Sequence, residues 1–116
     1  MRILILGANG LVGRAIVRNL QQSGVGEPIA GVRRRSSYYD KLKVESRVAE
    51  VTDAASLASA LNGITYVINC VMGSVDSMTV GIRNLCDAAQ RAGVQRIVHF
   101  SSCVVYGEAE GVIDEA

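Results

Sequence analysis

The sequence predicts an α/β protein built on one doubly wound parallel sheet with helices on both faces. Three observations carry this expectation. Short apolar runs alternate along the chain with segments of helical periodicity. The first run, Ile3 to Leu6, is unbroken, as in a strand buried on both sides. It leads directly into Gly7-Ala8-Asn9-Gly10-Leu11-Val12-Gly13, where a tight turn opens a helical pattern.

The first strand is read as Arg2–Leu6 and the first helix as Leu11–Gln22, with Val12, Ile16, Val17 and Leu20 on one face. Ser23-Gly24-Val25-Gly26-Glu27-Pro28 ends it, since glycine suits the position after a helix and proline cannot continue one. The second strand is Ile29–Val32, followed by a short helical turn over Tyr38–Lys43. The third strand is Arg47–Val51. Asp53 then suits an N-cap for a helix ending near Leu61, where Asn62-Gly63 stops it. The fourth strand is Thr65–Cys70, the loop Val71–Ser77, and the next helix Met78–Arg91 with Gly93 after it. The fifth strand is Arg96–Ser101. Right-handed crossovers give the spatial order 3-2-1-4-5, a Rossmann-like arrangement, with the ligand crevice at the carboxyl ends of strands one and four.

The 116 residues are the length of one domain and suffice for a real core. A formal net charge of +1 argues against a nucleic-acid-binding balance, and no apolar run reaches the roughly 18 residues of a membrane span. Met1-Arg2 runs straight into the first strand, so no leader peptide is expected. Cys70, Cys86 and Cys103 are odd in number and form no C-x-x-C pair, which favours free thiols over disulfides or zinc and a cytoplasmic location.

The glycine stretch has the spacing G-x-x-G-x-x-G. A strand, a glycine turn and a helix N-terminus in series suit a pyrophosphate: the backbone can approach closely, and the helix offers unpaired N–H groups and partial positive charge. Arg33-Arg34-Arg35-Ser36-Ser37 stands at the end of the second strand. An NAD binder usually carries an acid there for the ribose 2′-hydroxyl. Guanidinium groups instead suit a 2′-phosphate, so Arg33 and Arg34 are read as selecting NADP over NAD, with Ser36 as a hydroxyl donor.

Three segments resemble the extended short-chain dehydrogenase/reductase family, the NAD-dependent epimerase/dehydratase group. They are Gly7 through Gly13, Val67-Ile68-Asn69, and Ser101-Ser102-Cys103-Val104-Val105-Tyr106-Gly107. The resemblance implies that Ser102 is the catalytic Ser/Thr, whose hydroxyl bonds the substrate oxygen that exchanges hydride. It implies that Glu50 accepts from the adenine amine and that the backbone N–H of Val51 meets the adenine ring. Cys70, Val71 and Met72 fall where the family's fourth strand lies against the cofactor. The chain departs from the pattern at Asn69, where His is usual, at Val71-Met72, where small residues are usual, and at Met78, where Asn is common.

The family's Tyr-x-x-x-Lys helix lies beyond the Val-Tyr-Gly segment and has no counterpart in these residues. Tyr39-Asp40-Lys41-Leu42-Lys43 has the spacing but sits on the adenine side. Asp114-Glu115 resembles the acidic loop that precedes the missing helix. The resemblance therefore implies the cofactor-binding portion of a longer NADP-preferring oxidoreductase, with a small-molecule substrate bound by parts not present. The alternative is a non-catalytic NADP-sensing regulatory or partner domain of the same fold. An exposed fifth-strand edge would favour self-association.

Overall fold

The computed structural model describes residues 1–71 and 75–100. Met72, Ser102 and the Val-Tyr-Gly segment lie outside the described residues. The elements run β1 (Arg2–Leu6), α1 (Leu11–Ser23), β2 (Glu27–Val32), α2 (Ser37–Leu42), β3 (Ser46–Val48), α3 (Ala54–Ala60), β4 (Tyr66–Asn69), α4 (Val75–Ala92) and β5 (Arg96–His99). The five strands form one parallel sheet in the order β3-β2-β1-β4-β5, as expected.

Strand alternation divides the core into two layers. Leu4 and Leu6 face one way, with Ile29 and Val67, and pack with Leu57, Leu61, Leu85 and Ala89 of the α3/α4 side. Ile3 and Ile5 face the other way, with Ala30 and Val32, against Val17 of α1 and Tyr39 of α2. Both faces of β1 are covered, which is why its sequence shows no polar alternation.

β4 and β5 are slightly shorter than expected, and β2 and β3 differ from their expected bounds for identifiable reasons. β2 begins at Glu27 and includes Pro28. Glu27 N–H donates to Met1 O at 2.8 Å, so odd-numbered residues of β2 donate toward β1. Ala30 N–H donates the other way, to Glu45 O at 2.8 Å. The missing N–H of Pro28 thus falls on the β3 side, below Ala30↔Ser46, the first pair of that ladder. β3 is shorter and earlier than Arg47–Val51 because its partner β2 ends at Val32. Asp53 N–H then donates to Glu50 O at 2.9 Å, which puts Glu50 and Val51 in a turn beyond the strand.

The helix ends follow their local chemistry. Gly24, in the left-handed region at φ 70°, returns its N–H to Leu20 O at 3.1 Å. The Asp53 carboxylate accepts from Ala55 N–H at 3.0 Å and Ser56 N–H at 3.3 Å, so it is the N-cap of α3. At the other end of α3, the Arg47 guanidinium donates to Ala60 O at 2.9 Å and Asn62 O at 2.7 Å. α4 starts at Val75 rather than Met78.

Candidate functional site

The site is the crest of the sheet around the carboxyl end of β1, where the strand order reverses between β1 and β4. Gly7 leaves β1 at φ +75°, a conformation costly for other residues. A side chain on it would also strike the exit of β4, with Cys70 C and O both 2.9 Å away. Gly10 N–H donates to Gly7 O at 3.0 Å and closes the turn. Gly13 serves a different need. A Cβ there would lie 2.3 Å from Gly7 O and 2.8 Å from the Ala8 Cα, so its absence lets α1 rest on the turn. Among the described residues, a Cβ on Gly10 would meet only Gly7 O, at 3.4 Å. Two of the glycines thus serve the fold, and Gly10 leaves space above it.

Among the described residues, the N-terminus of α1 has no acidic neighbour in its own cap or first turn. Gly10 is its N-cap with no side-chain cap, and the first turn carries no acidic residue. Arg14 N–H makes the first intrahelical bond, to Gly10 O at 2.9 Å. The N–H groups of Leu11, Val12 and Gly13 precede that bond and are the orphan donors of the helix start. Leu11 and Val12 are themselves exposed, at 88% and 47%. Asn9 Nδ2 donates to Arg34 O at 3.1 Å, which fastens the turn to the end of β2.

Beyond β2, Arg33 Nε pairs with Glu50 Oε1 at 2.8 Å. The two residues assigned separately to the adenosine end are therefore neighbours. Burial pushes the Glu50 carboxyl up, but bonds from the Thr52 N–H and hydroxyl and the Arg33 charge outweigh it, so the net shift is downward. The Arg33 side chain is 80% exposed, so the pair is worth at most about 1 kcal/mol and Arg33 can exchange partners at little cost. Arg34 makes no ion pair among the described residues, and Ser36 Oγ is buried without a hydrogen-bond partner there. Val51 is buried; its carbonyl accepts from Asn84 Nδ2 of α4 at 3.0 Å, and its side chain touches the α4 backbone at Gly81.

At the end of β4, burial pushes the Cys70 thiol up to about 11, so it is a neutral packing group beneath the turn. Asn69 is buried; its Oδ1 accepts from Val71 N–H at 3.1 Å and its Nδ2 lies 3.2 Å from His99 Nδ1 of β5. Asn69 thus holds the strand exit that leads into Val71.

Sequence reasoning missed the underside of the site. Tyr39 is 1% exposed and its hydroxyl donates to the carbonyl of Ala8, inside the glycine turn. Burial, chiefly, pushes its pKa up to about 12. Tyr38 meets Tyr39 edge to face, with centroids 4.8 Å apart, and Arg14 lies 4.5 Å above the Tyr38 ring. The Tyr-x-x-x-Lys spacing at Tyr39 is therefore a structural tyrosine followed by a helix-end lysine, Lys43, at φ 59°. Two adjacent tyrosines opening a short helix after β2 were the signal available.

A separate groove between α3 and α4, lined by Ala58, Ser59, Asn84, Asp87, Ala88 and Arg91, shares no residue with the glycine turn. The crest is the better candidate, because it alone joins the strand-order reversal to the uncapped start of α1. Among the described residues, no group of three or more His, Cys, Asp or Glu could hold a metal, and no helix is long and apolar enough to cross a membrane.

A parallel sheet with an uncapped helix N-terminus at its switch point defines a dinucleotide-binding domain of the Rossmann type. Comparison with known proteins agrees. The chain belongs to the NAD(P)H-binding family, whose model matches residues 7–116. It is 34% identical to sterol demethylase protein B of Methylococcus capsulatus over 115 residues, covering 88% of this chain and 34% of that one. A short-chain dehydrogenase/reductase superfamily protein from Agrobacterium tumefaciens with bound NAD superposes with a TM-score of 0.74 at 33% identity, over 93% of this chain and 34% of that one. Triphenylmethane reductase of Citrobacter sp. complexed with NADP(H) gives 0.73 at 27% identity, over 85% and 36%. The chain spans about a third of the length of these proteins. It corresponds to the amino-terminal Rossmann portion of the short-chain dehydrogenase/reductase type.

Proposed function

We propose that the chain binds NADP(H) in preference to NAD(H), as the cofactor-binding portion of an epimerase-, dehydratase- or reductase-like oxidoreductase. The observation that carries this is the uncapped, acid-free N-terminus of α1 behind the Gly7 turn. The donor set fits a pyrophosphate: Leu11, Val12 and Gly13 N–H groups converge there, and Gly10 leaves the approach open. The Arg33 and Arg34 guanidinium groups, and the Ser36 hydroxyl that has no partner among the described residues, suit a 2′-phosphate at the end of β2. Val51 and Glu50 form the turn beside them for the adenine. Cys70, Val71 and Met72 would then line the nicotinamide side, with the Ser102 hydroxyl orienting a substrate oxygen.

When bound, the nicotinamide supplies hydride transfer at a carbonyl or alcohol carbon. The chain's own residues hold the two phosphate groups and orient the dinucleotide along the sheet crest. The exposed Arg33 would exchange its half-buried carboxylate partner for the phosphate dianion, a stronger charge-assisted contact.

Titration of the protein with NADPH and NADH tests this, followed by cofactor fluorescence. NADPH is expected to bind at least about tenfold tighter, a difference of about 1.4 kcal/mol, and Arg34→Ala to remove most of that preference. Equal affinities, or tighter NADH, would overturn the NADP assignment. Binding of neither would overturn the cofactor site itself.

A further inference from the structure

We infer that Tyr39 is a positioning residue for the dinucleotide: its buried hydroxyl sets the Ala8–Asn9 peptide so that Asn9 N–H faces the phosphate side of the glycine turn. The inference rests on the cofactor reading above and goes one layer beneath it. Ala8 is fully buried, and both of its backbone polar groups are held. Its N–H donates to Gly31 O of β2 at 3.1 Å, and its carbonyl accepts from the Tyr39 hydroxyl. The peptide that follows is trans, so its C=O and N–H point in opposite directions. A carbonyl aimed inward at Tyr39 therefore aims Asn9 N–H outward. That N–H has no partner among the described residues.

The alternative orientation is the harmful one. Without a donor below, the Ala8 carbonyl gains by turning toward water, and it would then present a partial negative charge where the helix start and Gly10 offer positive charge. The hydroxyl is well suited to prevent this. It remains protonated far above neutral pH, since burial pushes its pKa up to about 12, so it is always a donor. Its ring is locked edge to face on Tyr38, which itself lies under Arg14 of α1. One short helix, α2, therefore braces both the turn and the first turn of α1.

The test compares Tyr39→Phe with Val44→Ala, a truncation in the same core layer, outside the glycine turn, whose backbone N–H and not its side chain bonds Tyr39 and which leaves the Tyr39 hydroxyl in place. NADPH and NADH are titrated separately into each folded protein, with thermal stability recorded alongside. Tyr39→Phe is expected to weaken NADPH and NADH by the same factor, about tenfold, because the pyrophosphate is common to both and one ordering hydrogen bond is lost. The ratio of the two affinities stays at the wild-type value, and Val44→Ala binds as wild type even if its melting temperature falls as far. Three results would overturn the inference: unchanged affinity in Tyr39→Phe, a loss confined to NADPH, or an equal loss in Val44→Ala. Failure of the wild type to bind either dinucleotide would instead overturn the cofactor reading and this inference with it. A measurement on the wild type covers a variant that does not fold. One tyrosine hydroxyl proton should be visible by NMR in slow exchange, close to the Ala8 resonances; its absence would also overturn the assignment.

Discussion

Replacing Gly13 by alanine tests whether the contact between α1 and the glycine turn governs cofactor binding. The new Cβ would lie 2.3 Å from Gly7 O, 2.8 Å from the Ala8 Cα and 3.0 Å from Gly7 C, all backbone atoms. No side chain can rotate away, so helix and turn must separate by about 1 Å to restore ordinary contact. Overpacking of this kind costs about 1–3 kcal/mol. Alanine's better helix propensity returns up to about 1 kcal/mol. With that full return the net destabilisation is up to about 2 kcal/mol, or at most roughly 10 °C in Tm for a chain of this size. The effect on binding is larger in proportion, because the orphan N–H groups move off the position set by the turn. NADPH affinity is expected to fall by about tenfold or more. Thermal denaturation and NADPH fluorescence titration read the two quantities on one preparation. Gly10→Ala is the partner experiment: among the described residues its Cβ meets only Gly7 O, at 3.4 Å, so the fold should hold while affinity drops. A Gly13→Ala protein with wild-type stability and affinity would refute the account of the turn.

Alkaline pH should destabilise the protein through Tyr39. Its pKa is raised from 10.0 to about 12, so its contribution is intact below pH 10 and lost as pH rises to about 12, at about 3 kcal/mol; denaturation midpoints recorded from pH 9 to 12 check this, and Tyr39→Phe should flatten the curve. Glu50 works in the opposite sense: its lowered carboxyl pKa gives stability present above the ordinary value of 4.5 and lost as pH falls through the lowered one, and Glu50→Gln should remove that acid dependence. The same Glu50→Gln change should raise NADPH affinity relative to NADH, since Arg33 loses its competing carboxylate; an unchanged ratio in the titration would count against Arg33 as a phosphate ligand. Arg47→Met should destabilise by about 1–3 kcal/mol in urea denaturation, because the Ala60 and Asn62 carbonyls lose their donor at the end of α3.

The strand order and helix sequence were legible because each depends on local periodicity and on a handedness rule that admits few alternatives. Asp53 was legible for the same reason, since capping is a short-range interaction. The strand bounds were not. Pro28 reads as a breaker until it is known that β3 starts two residues higher, and the end of β3 is set by Val32 on another strand. At the site, the glycine turn could be read because its backbone geometry is carried by residue type and spacing. The Arg33–Glu50 pair joins positions 17 apart, and the Tyr39–Ala8 bond joins positions 31 apart. No spacing rule reaches across such gaps; only the sheet brings them together. The Tyr39 spacing even resembled a catalytic pattern, whereas burial against Ile5, Ala8 and Val32 makes it a brace.

The central place of β1 also governs the order in which this chain can fold. β1 is synthesised before the other four strands, yet one of its two neighbours is β4, with Leu4 opposite Val67 and Leu6 opposite Asn69. Pairing with β2 becomes available after about thirty residues, but the other edge of β1 stays open until more than twice that length has been made. Leu4 and Leu6 also wait for Leu57, Leu61 and Leu85 to cover them. During synthesis, the half-built β-α-β unit therefore carries an unpaired apolar edge, a ready target for chaperones and for pairing between nascent chains. The strand that later presents the glycine turn to its cofactor is thus the one most dependent on prompt completion of the chain.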